Sequence, residues 1–316
     1  MKRHPSCLAR HPIMRSMYQV QHPSRSSFVP IRTLSYHVRQ WGQPRSGQPP
    51  LVLLHGWMDV AASFQFVVDA LSQDHFIIAP DWRGFGLTAS NGADSFWYPD
   101  YLADLDALLD HFSPDSPVNL VGHSMGANIA LLYAGIRPHR VCRLVNLEGF
   151  GLPATEPDQA TERFTQWLDQ LKAPHSARTQ LKSYASLEAV AARLIKNNPR
   201  LSPDKAQWLA SHWSAEVAPG QWRILAEAAH KLTNPQLYRV DEVASVHRHI
   251  TAPTLMVEAE EDGVAQFWKG QFTRAEHRQR LQAVPDLRIE VLPDCGHMLH
   301  HDQPQAVAAL IEAFFK

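Results

Sequence analysis

Cysteine is scarce in this 316-residue chain: Cys7, Cys142 and Cys295 stand far apart, with no CxxC pair. An odd, scattered set excludes a disulfide framework and fits a reducing compartment, so the cytoplasm is the expected location. Long apolar runs are missing as well. No stretch approaches the roughly 20 residues that cross a bilayer, and no transmembrane helix is expected. Acidic residues are absent from the first 50 positions, which hold eight Lys or Arg and leave 22 basic against 31 acidic residues in the remainder. A neutral-to-acidic body offers no footprint for nucleic acid. Residues 1–28 are Arg-rich, acid-free and lack the apolar core of a secretory signal. They read as a disordered extension, with a transit peptide as the alternative.

What is present is an ordinary globular composition, 45% hydrophobic and 19% charged, without repeats or low-complexity blocks. From about residue 31 strands and helices alternate. TLSYHV (33–38), LVLLH (51–55), FIIAP (76–80), VNLVG (118–122), RLVNLE (143–148), TLMVEA (254–259) and RIEVLP (288–293) read as strands. Most are near-continuous apolar runs, the mark of strands buried on both faces of a parallel sheet. YLADLDALLDHF (101–112) and QAVAALIEAFF have helical spacing. The expected fold is α/β, doubly wound and mostly parallel, with its core in residues 29–151 and 250–316. Residues 152–249 break the alternation with helical segments and no convincing strand, which predicts a helical cap inserted in that core. Four tryptophans fall in it, Trp167, Trp208, Trp213 and Trp222. Buried aromatics mostly pack cores, and these read as cap-to-body packing.

The chemistry starts at LVGHSMGANIA (120–130). A buried strand runs into Gly-His-Ser-Met-Gly and leaves as a small-residue helix, the G-x-S-x-G pattern of a nucleophile elbow. A serine hydroxyl attacks only when a histidine takes its proton and a carboxylate orients that histidine. In DCGHMLHH (294–301), His297 lies between the last strand and the terminal helix, at the same sheet edge as Ser124. His300 and His301 read as surface or pocket rim; no Cys, Asp or Glu at ligand spacing completes a metal site with them, so neither metal nor cofactor is expected. Two backbone N–H groups must form an oxyanion hole. Met125 supplies one, and Trp57, in the loop LLHGWMD (53–59), supplies the other. His55 reads as support for that loop, and Asp81 with Arg83, in PDWRGFGLTAS (80–90), as a structural tie.

In this order and spacing HGWMD, DWRGFGLT, GHSMG and GHMLHHDQP resemble the α/β-hydrolase superfamily, over nearly the whole chain from residue 31. Thr88 departs from the serine common in the second of these motifs. The resemblance implies an eight-stranded sheet, a helical cap and a Ser-His-acid triad carried by Ser124 and His297. For the acid, the family's usual strand leads to Asp262, nine residues after Pro253, while Glu148 competes as an acid ending the strand after the elbow helix. Glu260 and Glu261 read as solvated neighbours. Haloalkane dehalogenases and epoxide hydrolases carry aspartate at the elbow, and Ser124 argues against both. The expected function is a serine hydrolase cleaving a carboxylic ester, its partner a small acyl substrate. The same triad would serve C–C, thioester or lactone hydrolysis or perhydrolysis, and a non-catalytic binding protein is the other alternative. Nothing in the sequence decides substrate identity or oligomeric state.

Overall fold

The computed structural model describes residues 17–173 and 181–316. Cys7 lies outside them, and Cys142 and Cys295 are free thiols. Among the described residues eleven strands run in chain order: β1 (Arg25–Ile31), β2 (Leu34–Trp41), β3 (Leu51–Leu54), β4 (Ile77–Pro80), β5 (Val118–His123), β6 (Val141–Leu147), β7 (Ser183–Tyr184), β8 (Ser214–Ala218), β9 (Gln221–Ile224), β10 (Thr254–Ala259) and β11 (Leu287–Leu292). Interleaved helices are α1 (Gln65–Val68), α2 (Tyr98–Phe112), α3 (Met125–Ile136), α4 (Ala160–Lys172), α5 (Leu187–Asn197), α6 (Pro203–Trp213), α7 (Val240–His247), α8 (Gly263–Trp268), α9 (Arg274–Leu281), α10 (Leu299–Asp302) and α11 (Pro304–Phe315).

Eight strands form one sheet in the order β1-β2-β4-β3-β5-β6-β10-β11, antiparallel at the β1–β2 and β2–β4 pairs and parallel elsewhere. Successive side chains of a strand point to opposite faces, and here both faces are covered. In β3, Val52 and Leu54 join a core with Leu105 of α2 and Ile129 of α3. Leu51 and Leu53 join the opposite core, with Val67 of α1 and Val307 of α11. Each such leucine, fully buried, is worth about 1.5–3 kcal/mol against exposure, which is why the apolar runs are continuous rather than alternating.

β1 is a correction to the sequence reading. Residues 25–31 pair along their whole length with β2. Ahead of them the Tyr18 ring packs edge-on against Phe66 at 4.9 Å, and its hydroxyl donates to Asp69 at 2.7 Å. Residues 17–28 are therefore bound to the body, while 1–16 lie outside the described residues. The acid-free composition suggested an extension because β1 is an edge strand, exposed at alternate positions and opened by three polar residues.

The segment between β6 and β10 also differs from expectation. It holds helices α4 to α6, but also a three-stranded sheet of order β7-β9-β8. These strands are short and half-exposed, so their periodicity is faint. Its last helix, α7, belongs to the body: Val246 packs against Gly135 of α3. Trp208 and Trp213 of α6 share a core with Val60, Ala62 and Phe66, fastening the insert over the loop after β3.

Candidate active site

Ser124 stands between β5 and α3 with φ 51° and ψ −115°, a strained backbone that any L-residue resists. Glycine makes the turn possible. A Cβ on Gly126 would lie 2.2 Å from the Leu54 carbonyl oxygen, and one on Gly122 would lie 2.5 Å from Ala127 backbone. The backbone N–H of Ser124 donates to the Leu147 carbonyl at 2.9 Å, tying the turn to the next strand. The side chain thus projects beyond the carboxyl ends of the strands, where the loops after β3, β6 and β11 converge.

His297 arrives from the loop after β11. The Ser124 hydroxyl lies 3.1 Å from His297 Nε2, and His297 Nδ1 lies 3.3 Å from Glu148 Oε2. Glu148 ends β6 in a left-handed conformation, φ 55°, and its second oxygen accepts the Ala259 N–H at 2.7 Å. Asp262, which the sequence placed at this histidine, stands elsewhere. It caps α8 through the Ala265 N–H at 2.9 Å, lies 3.7 Å from Arg274, and keeps 44% of its side chain exposed. The physical reason is space. β6 and β10 are neighbours, and the Glu148 carboxylate reaches across so closely that a Cβ on Gly263 would meet it at 2.5 Å. Glu260 and Glu261 turn to the Asp294 N–H and to Arg200.

Burial disfavours charge on both partners of the pair. It pushes the Glu148 carboxyl up to about 7, against the Ala259 hydrogen bond and the Arg274 charge, and it pushes the His297 imidazole down to about 4. A neutral imidazole with a lone pair on Nε2 is the form that accepts a hydroxyl proton. The rings of Phe150 and Phe267, centroids 5.3 and 4.9 Å from that of His297, supply the apolar surroundings. Neither phenylalanine was legible as a site residue, because an isolated Phe in a loop or short helix carries no chemical signal. His123, inside the elbow motif, donates from Nε2 to the His297 carbonyl at 2.8 Å and so holds the loop from behind.

The loop after β3 lies against the elbow, since a Cβ on Gly56 would sit 3.2 Å from that of Ser124. Trp57 follows, and Met125 is the first residue of α3, whose leading N–H groups have no intrahelical acceptor. The two candidate oxyanion donors thus come from the loop after β3 and from the first turn of α3, next to Ser124. His55 braces this loop: its Nδ1 donates to the Gly56 carbonyl at 2.8 Å and its Nε2 accepts the Trp82 N–H at 2.9 Å. Asp81 accepts the N–H groups of Ala61 and Leu87 and contacts His37 Nδ1 at 2.6 Å, and Arg83 grips Asp104 with two nitrogens. Both point away from Ser124 in function, tying loops together. His300 and His301, expected at the surface or the pocket rim, are buried, 0% and 4% exposed.

Residues 49–304 match the family model of the alpha/beta hydrolase fold. A serine hydrolase-like protein of Danio rerio is 28% identical over 286 residues, covering 87% of this chain and 83% of that protein. Among solved structures, a hypothetical protein of Pseudomonas aeruginosa PAO1 superposes with a TM-score of 0.80 at 28% identity, covering 92% of this chain and 99% of that one. The thioesterase domain from the curacin biosynthetic pathway does so with a TM-score of 0.78 at 25% identity, covering 92% and 99%. With its eight-stranded sheet, its strained serine turn and this match across four-fifths of its length, the chain belongs to the α/β-hydrolase family and is a hydrolase of that fold.

Proposed function

We propose that the protein is a serine hydrolase that cleaves a carboxylic ester through an acyl-enzyme on Ser124. The observation that carries this reading is the chain of contacts from the Ser124 hydroxyl through both nitrogens of His297 to Glu148. His297 takes the hydroxyl proton as Ser124 attacks the ester carbonyl, and Glu148, rather than Asp262, holds the ring and balances the imidazolium. The Trp57 and Met125 N–H groups receive the oxyanion. His297 then returns its proton to the leaving alcohol, and water repeats the attack on the acyl-enzyme. The insert beginning at residue 152 acts as a cap, because its core is shared with the oxyanion loop. The cytoplasm remains the location proposed from cysteine usage.

A second reading, thioester hydrolysis by the same triad, is supported by the likeness to a thioesterase domain. The test is fluorophosphonate labelling beside turnover of p-nitrophenyl esters and acyl thioesters of rising chain length. Wild type should be labelled at Ser124 and should turn over one series, while Ser124→Ala should fold, resist labelling and lose at least about a thousandfold in rate. Unlabelled, folded wild-type protein would overturn both readings.

A further inference from the structure

Behind the site lies a second cluster that the proposed hydrolysis does not use. We propose that Asp59, His300 and His301 bind a divalent transition-metal ion of the zinc class. One ligand atom from each, a carboxylate oxygen or an imidazole nitrogen, falls within 4.8 Å of the others, and all three residues are buried. Among the described residues, Asp59 Oδ2, both nitrogens of His300 and His301 Nε2 have no hydrogen-bond partner. Buried polar atoms are nearly always satisfied, and three residues that each turn an orphaned atom to one place ask for a common partner.

The spacing is that of ligands rather than of hydrogen-bonded pairs. Asp59 Oδ2 and His300 Nε2 stand 3.9 Å apart, too far for a direct hydrogen bond. Ligands about 2.0–2.1 Å from a tetrahedral ion stand roughly 3.4 Å from one another, so a small inward movement closes the shell. Two imidazoles and one carboxylate form a set that first-row divalent ions favour. The outer shell is also present. Asp59 Oδ1 accepts the Ser63 hydroxyl, and His301 Nε2 is unpartnered in the cluster. The His300 ring is held between Phe64 and His123, centroids 5.3 and 4.2 Å away. The hydrogen bond to Asp59 orients that ligand, and the flanking rings hold the His300 imidazole in place.

The position gives the ion a role. Asp59 is two residues beyond Trp57, and His300 is three beyond His297. An ion at this point clamps the loop after β3 to the loop after β11, the two segments that must keep their register at Ser124. It is a staple behind the site and takes no part in bond making.

Chelator-stripped full-length protein should bind one tightly held zinc ion per chain in equilibrium dialysis and melt at a higher temperature when loaded. Asp59→Asn and His301→Gln should each weaken that binding by more than about a hundredfold, beyond the 10–100-fold typical of outer-shell losses. His297→Gln should retain it, which separates this cluster from zinc held at Ser124's histidine. Cobalt(II) added to wild type should give the visible absorption of a low-coordinate nitrogen and oxygen site, a reading that needs no variant to fold. Wild type that binds no zinc, binding that survives both cluster variants, or binding lost with His297→Gln would each overturn the proposal.

Discussion

At the scale of single residues, the proposed mechanism turns on Glu148. Its carboxylate lies against His297 while Asp262 caps a helix at the surface. Glu148→Gln should therefore cut the maximal rate by about a thousandfold or more, since an amide cannot hold the productive tautomer. Asp262→Asn should stay within a few-fold of wild type, because asparagine caps a helix about as well as aspartate. The reverse ranking in folded variants would return the acid to Asp262. Glu148 also sets a pH dependence. Burial raises it to about 7, so it is ionised above that value and is neutralised as the pH falls through it. The imidazole, lowered to about 4, remains a base throughout this range. Activity should then fall below about pH 7 in wild type, and Glu148→Gln should lose that acid limb along with its rate. A wild-type profile flat from pH 8 to 5, with chemistry rate-limiting, would remove Glu148 from this role.

At the scale of elements, the N-terminal strand was missed. β1 covers an edge that β2 would otherwise expose, and the Tyr18 ring closes a core shared with Trp208 of the insert. Removing residues 1–28 takes away four of the seven β1 pairings and that ring. The melting temperature should drop by at least about 5 °C, from the loss of a few kcal/mol in a domain of this size. A truncated protein that melts with the full chain would show that the strand adds nothing. The insert is legible as an interruption in the alternation of strands and helices, and its amphipathic helices are readable. Its small sheet is not, since two- to five-residue half-exposed strands have too few alternations to stand out.

At the scale of the whole molecule, buried and half-buried histidines make the stability depend on pH. His55, His212, His247 and His277 are pushed to about 4 by burial, and His230 to about 3. Below their ordinary 6.5 the unfolded chain takes up protons that the folded one refuses. The stability they allow is therefore complete above pH 6.5 and is lost as the pH falls from 6.5 toward 4, at up to about 1.4 kcal/mol per unit for each group. Glu148 and Asp59, raised to about 7, bind protons in the folded state and oppose this, while His297 at about 4 and His301 at about 3 add to it. Urea unfolding should show a lower stability at pH 5 than at pH 7. Equal stability at the two values would mean these imidazoles are hydrated.

The α/β architecture, the serine turn and the histidine loop were all written in local pattern. Continuous apolar runs specify doubly covered strands, and Gly-His-Ser-Met-Gly specifies a backbone that only glycines at its ends permit. Which carboxylate meets His297 is not a local property. Glu148 and Asp262 both follow core strands, β6 and β10, and only the adjacency of those strands lets the longer side chain of Glu148 reach across and fill the place beside Gly263. The burial of His300 and His301 against Asp59 is of the same kind, a meeting of residues some 240 positions apart that the packing of α10 on the loop after β3 brings about. Periodicity reports how a segment meets its surroundings, and long-range packing decides which residues those surroundings contain.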